Sequence, residues 1–322
     1  MQPYPIILQP VFINQPWGGF HLQSLFSFAG QEPVGEAWLL SACKDIHSMI
    51  LNGMLAGKDL TDIQSMTSEW FGFEKSRSFP LVIKILDTGQ NQPVFVHFND
   101  RKQSGLTDSS QINTKFWYIL EADQGASVYY GHTAQSKSEF RGMIQQAEWE
   151  QLFMRKQVHP GDFFYIPSGM VHGLGKGIVA LEVQQSDAAS FRLHEPNTGN
   201  QNREDIDATD YTIEFEDVLK QINYPSRLPD VQPYKWKQGN THLTRFVSSD
   251  YFIVEKWEIH DSIQTSTERK FRFGFVIDGA GELIAANNTI LLTRGKVFLL
   301  PASLGEFELR GQLSVFMVYL PR

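Results

Sequence analysis

Cysteine is almost absent. Cys43 is the only one in 322 residues, which excludes an intramolecular disulfide framework and fits a reducing compartment. No run approaches the roughly 20 consecutive apolar residues that a membrane-spanning helix requires. The opening Met1-Gln2-Pro3-Tyr4-Pro5 lacks the basic stretch and apolar core of a secretory leader. These absences predict a soluble, cytoplasmic protein with no membrane partner. Positive charge is also short: 28 Lys and Arg stand against 36 Asp and Glu, a formal charge of −8. Bulk electrostatics therefore exclude a nucleic-acid partner. A few local cations would still suffice to hold a small phosphorylated ligand.

What the chain does have is aromatic and turn-forming residues. Aromatics make up 13%, with 24 Phe, and hydrophobic residues 42%, enough for one large core or two smaller ones. Short strand-like runs dominate: Phe79 to Leu86, Pro93 to His97, Lys115 to Leu120, Ser127 to Tyr130, Phe163 to Ile166, Ile178 to Gln184 and Ser190 to Leu193. Two helical inserts interrupt them. Leu60, Ile63, Met66 and Trp70 form one core-facing stripe; Phe140, Met143, Ile144, Ala147 and Leu152 form another, with Ser136 or Ser138 as N-cap. The polar stretch from His194 to Asp210 predicts a surface loop, and Pro225 to Gly239 a linker. Strand signals then resume at Tyr251 to Ile259, Phe271 to Ile277, Gly281 to Ala285, Val297 to Pro301 and Leu313 to Leu320.

The two halves share a device. Gly161-Asp162-Phe163-Phe164-Tyr165-Ile166-Pro167 matches Gly295-Lys296-Val297-Phe298-Leu299-Leu300-Pro301 in spacing and apolar order. A Gly turn entering a strand that ends at Pro recurs in cupin-type β-barrels, and two copies suggest barrels in tandem. Only the first copy continues to a histidine, through Ser168-Gly169-Met170-Val171-His172. This spacing resembles the second cupin motif, whose strand delivers His into the barrel interior as a metal ligand. The expected fold is mainly β: a cupin-type jelly-roll barrel with helical inserts over residues 1–224 and a smaller jelly-roll barrel over residues 225–322.

The match widens to Val158-His159-Pro160, Gly175-Lys176-Gly177-Ile178 and Glu182 through Asp187. Upstream it takes in Trp17-Gly18-Gly19, Gly35-Glu36-Ala37-Trp38, Phe79 through Asp87 and Trp117-Tyr118-Ile119. With these segments the chain resembles the type I mannose-6-phosphate isomerases over nearly its whole length. The resemblance implies zinc-dependent interconversion of mannose 6-phosphate and fructose 6-phosphate through an enediol, with Arg192 as the catalytic arginine. It implies four metal ligands: a Gln-x-His pair, a Glu, and the motif His. Here His97 and His172 match as metal ligands, but the Gln position is Phe95 and the Glu position Lys115. The family's Lys two residues before that Glu is Asn113, and the segments Asn91-Gln92-Pro93-Val94, Phe98 and Leu193-His194-Glu195-Pro196 also depart from its pattern.

Phe95 cannot coordinate a metal. An ammonium at Lys115 opposes one, since two unit charges about 4 Å apart repel by roughly 4 kcal/mol at an effective dielectric of about 20. Zinc, implied by resemblance, is thus argued against by these two residues. Lys115 is instead a candidate substrate-binding cation. Two rescues are conceivable: His194, two residues from Arg192 and so expected on the same strand face, as a third nitrogen ligand, or Glu182 as a carboxylate ligand. The plainer expectations are that His194 opens a solvent loop and that Glu182 is structural. Three functions stay open: an aldose–ketose isomerase of phosphorylated hexoses, a metal-free sugar or sugar-phosphate binding protein, and another cupin activity such as an epimerase or dioxygenase.

Overall fold

The computed structural model describes residues 2–43, 45–66, 68–72, 79–97, 113–186, 190–197 and 215–321. Two antiparallel sheets form the first barrel. A five-stranded sheet runs in the order Phe153–Gln157, Ser127–His132, His172–Leu174, Val94–His97, Ser190–His194. A six-stranded sheet runs Phe163–Ile166, Lys115–Ala122, Ile178–Gln185, Leu81–Thr88, Glu36–Leu40, Val11–Ile13. Side chains alternate across a strand, and both faces of the six-stranded sheet are covered. Phe116, Leu181, Val183, Ile83 and Ile85 point away from the barrel interior into a core shared with Phe246, Phe252, Phe273 and Phe316 of the C-terminal strands. Tyr118 and Phe316 meet edge to face at 4.8 Å. Double coverage explains why Ile178–Gln185 reads as a nearly unbroken apolar run.

The C-terminal strands build a 10-stranded sheet that also takes in Ile6–Gln9 and Met49–Ile50 from the start of the chain. The repeated device has the same local form twice. Gly161 and Gly295 both adopt positive φ, 98° and 85°, a backbone that glycine enters without strain. Each leads into a four-residue strand, Phe163–Ile166 or Val297–Leu300, ending before a proline.

Several local expectations need correction. The Phe271 to Ile277 and Gly281 to Ala285 runs are one strand, Arg272–Ala285, with a register shift between Val276 and Asp278. The bulge hides its continuity from a period-2 reading. The linker contains a strand, Tyr234–Gln238, whose residues are mostly exposed because it lies at the sheet edge. Leu60 and Ile63 are buried on the first helix, Leu60–Met66, but Met66 is 50% exposed, and Trp70 is buried from a separate 3-10 turn. The second insert is two helices, Lys137–Gln145 and Trp149–Leu152, broken at Ala147 with φ 55°. Ser136 caps the first by accepting from the Glu139 N–H at 3.2 Å. No described helix is long and apolar enough to cross a membrane.

Candidate functional site

A cavity of about 240 Å³ opens between the two sheets of the first barrel. Phe95 and His97, two apart on Val94–His97, face it together. The strand register then sets Phe95 between His172 on one side and Arg192 on the other. The facing sheet supplies a polar row. Glu182 is paired with Trp117 on one neighbour and Lys84 on the other, and Lys115 stands two residues before Trp117. Phe95, His97, Lys115, His172, Glu182 and Arg192 therefore line one cavity, although 97 residues separate the first of them from the last in the chain.

Two of its cations are paired with carboxylates. Lys115 Nζ lies 3.2 Å from Glu182 Oε2, and the Trp117 indole N–H donates to the same oxygen at 2.7 Å. Burial alone would raise the Glu182 carboxyl, but Lys115 and Lys84, with the indole, hold it below the ordinary carboxylate value. Burial lowers the Lys115 ammonium, opposed mainly by Glu182. The indole bond and the lysines together favour the carboxylate form of Glu182. Beside it, Lys84 contacts Glu36 at 3.1 Å and lies 3.8 Å over the Trp38 ring. Gln15 and Trp38 donate to the two Glu36 oxygens at 3.1 and 2.7 Å. The Arg192 Nε is buried without a hydrogen-bond partner among the described residues.

The two histidines face each other, Nε2 to Nε2 at 3.1 Å, with rings 4.8 Å apart and nearly parallel. One proton position follows from a neighbour. His172 Nδ1 is 2.8 Å from the Met170 carbonyl, which only accepts, so Nδ1 carries the hydrogen and Nε2 the lone pair. His97 Nε2 lies 3.1 Å from that Nε2, and His97 Nδ1 lies 3.2 Å from Asn113 Nδ2. Asn113, His97, His172 and Met170 thus form one contiguous buried row. Burial, reinforced by Lys115, pushes His172 down to about 3, so it stays neutral at physiological pH.

His194 is neither a third ligand nor the opening of a solvent loop. It ends the strand Ser190–His194 and stacks on Trp149 at 4.4 Å, on the apolar side that also holds Phe153. A register shift between Arg192 and His194 breaks the two-residue alternation that would have set them on one face. Burial drives its imidazole down to about 4. Phe98 and most of the polar stretch after Asn197 lie outside the described residues. Glu36 and Lys84 lie in segments that carry the family resemblance but were given no role of their own, and Gln15 lies in none of those segments. The usable signal was Lys84 itself, one charge within the apolar strand Leu81–Thr88, as Glu182 is within Ile178–Gln185.

This donor set does not fit the zinc ion that the resemblance implies. Zinc asks for four ligands, with anionic or imidazole donors free to point at it. Here Phe95 offers none, Lys115 is a cation, and one oxygen of Glu182 is held by both Lys115 and Trp117, which leaves His97 and His172 as the only two of the four expected donors. Among the described residues no group of three or more His, Cys, Asp or Glu side chains is placed to share a metal.

Comparison with known proteins ties this architecture to one group. Residues 6–118 match the family model for the phosphomannose isomerase type I catalytic domain, and residues 242–320 the model for the mannose-6-phosphate isomerase cupin domain. A mannose-6-phosphate isomerase of Bacillus subtilis is 33% identical over 99% of this chain and 100% of its own length. One from Streptococcus mutans is 32% identical over 97% of this chain and 96% of its own. The crystal structure of a Bacillus subtilis mannose 6-phosphate isomerase superposes with a TM-score of 0.88 at 31% identity, covering 98% of this chain and 99% of that one. The chain belongs to the type I mannose-6-phosphate isomerase family.

Proposed function

We propose that the cavity binds a hexose 6-phosphate and interconverts its aldose and ketose forms, mannose 6-phosphate and fructose 6-phosphate, as part of cytoplasmic carbohydrate metabolism. The single observation that carries this reading is the convergence of Lys84, Lys115 and Arg192 on one cavity of about 240 Å³. Three cations around one concave site suit a phosphorylated sugar. The names of the full-length relatives supply the sugar. Isomerisation moves one proton from C2 to C1 through an enediol, while the O2 hydroxyl gives up its proton and O1 takes one. Lys115 and Arg192 would hold the developing oxygen anions, and Lys84 the phosphate.

The described residues offer no strong, free base for the proton transfer. Both cavity carboxylates are held by lysines, and a His172 whose proton affinity corresponds to a pKa of about 3 is a weak base. These observations favour a second reading, in which the site binds the sugar phosphate without turning it over. Incubating the chain with mannose 6-phosphate in deuterated water, with chelator present, decides between them. Formation of fructose 6-phosphate, with deuterium at its C1 or at C2 of recovered mannose 6-phosphate, supports isomerisation. Saturable binding with no exchange supports the second reading, and neither binding nor exchange overturns both.

A further inference from the structure

We propose that the Lys115–Glu182 ion pair has taken the place of a metal ion, making this a metal-independent site that presents a fixed ammonium to an oxygen anion of its ligand. The inference deepens the proposed function and rests on it for the ligand's identity. The metal independence stands on the geometry alone.

The first ground is the ligand register. Lys115 sits on Lys115–Ala122 with its neighbours Gln184 and Ile166 fixed by pairing on both sides. Its Nζ therefore reaches the same polar row that holds Glu182 and Trp117, not solvent, and its side chain is 11% exposed. A cation fixed there by a carboxylate 3.2 Å away occupies the region where a dication would need anionic donors. The second is the imidazole pair. Metal ligation requires the Nε2 lone pairs of both rings to point at the ion. In this chain the two Nε2 atoms lie 3.1 Å apart, with the Met170 carbonyl on the outer nitrogen of His172 and the Asn113 amide on that of His97, while Phe95 and Lys115 stand where two further donors would be needed.

The third is the charge inventory. Among the described residues three cations, Lys84, Lys115 and Arg192, face two carboxylates, Glu36 and Glu182. The described lining carries one positive charge in excess. Such a site attracts an anion and repels a divalent cation. Phe95 completes the exchange: its ring lies between His172 and Arg192 in the sheet and adds apolar surface where a ligating amide would have been.

Two measurements on the full chain separate the parts of this claim. Protein purified without chelator and dialysed against zinc should hold well under one equivalent by elemental analysis. The affinity for mannose 6-phosphate, read by calorimetry, should be unchanged by EDTA. Lys115→Met should weaken that affinity by about tenfold or more, as loss of a charge-assisted bond to a buried anion does. Because Lys115→Met leaves Glu182 unpaired, Lys115→Met/Glu182→Gln serves as the folded control and should show the same loss. In the other direction, Phe95→Gln/Lys115→Glu should gain zinc. Stoichiometric zinc in the unaltered chain, or ligand binding abolished by EDTA, overturns the proposal. So does full affinity in both Lys115 variants. Failure of mannose 6-phosphate to bind, with zinc still excluded, overturns the proposed ligand and leaves the metal independence standing.

Discussion

The two barrels use the same strand device and bury the same kind of pair, but only one turns it to a cavity. In the first, Glu182 takes Lys115 and the Trp117 indole on a single oxygen and lines the pocket. In the second, Glu255 takes Arg245 and Tyr319 on one oxygen and the Trp257 indole on the other, at 2.8–2.9 Å. The cations differ as well: Lys115 is 11% exposed while Arg245 is 37% exposed. A carboxylate fully tied by three partners, one of them reaching water, is a structural lock. A carboxylate holding a dry ammonium at a cavity wall keeps that ammonium available to a ligand. The lesson is that a charged residue inside a barrel is informative by what it leaves available, not by being there.

The largest expected effect breaks this comparison directly. Glu182→Leu strands Lys115 and should cost about 3 to 5 kcal/mol in denaturant unfolding. Glu255→Gln should cost less, about 1 to 2 kcal/mol, because Arg245 can turn to solvent. The pH dependence follows the same residue. Glu182 has its carboxyl lowered from 4.5 in the folded state. Its contribution is thus complete above that value and disappears as pH falls through the lower folded one. Glu182→Gln should remove this acid component, seen as a flatter loss of melting temperature below pH 4.5. An unchanged acid limb would show that the pair is not ionised.

The repeated glycines give the next comparison. Gly295→Ala places a Cβ 2.8 Å from the Leu25 carbonyl, whereas at Gly161 the nearest atom is 4.0 Å away. Both positions carry the strain of a positive φ, so Gly161→Ala should cost about 1 kcal/mol and Gly295→Ala about 2 kcal/mol or more. Equal losses would mean that the two turns relax alike. The smallest effect belongs to Lys115→Met/Glu182→Leu, which replaces the pair with apolar volume and should lie within about 1 kcal/mol of the original stability. A loss as large as that of Glu182→Leu alone would show that the two side chains do not act as a unit.

Much of this was legible from residue order. The spacing from Gly161 to Pro167 and on to His172 is a local property of one strand and its turn, and local properties survive in sequence. The convergence of Lys84, Glu182, Lys115 and Arg192 is not local; it depends on which strands pair and in what register. Lys84 looked like framework because nothing in its own strand says what lies across the barrel. His194 was misjudged for a related reason: alternation assigns faces only where the ladder is regular, and a bulge intervenes after Arg192. The strand Tyr234–Gln238 was hidden because an edge strand with exposed side chains carries no burial pattern.

The central claim, that His97 and His172 meet in a cavity that takes no zinc, is tested most directly by nitrogen-15 NMR of the histidine rings. The expected spectrum shows His172 protonated at Nδ1, with the signals of both rings unchanged on adding zinc. Two unprotonated Nε2 atoms that both shift on zinc addition would contradict it.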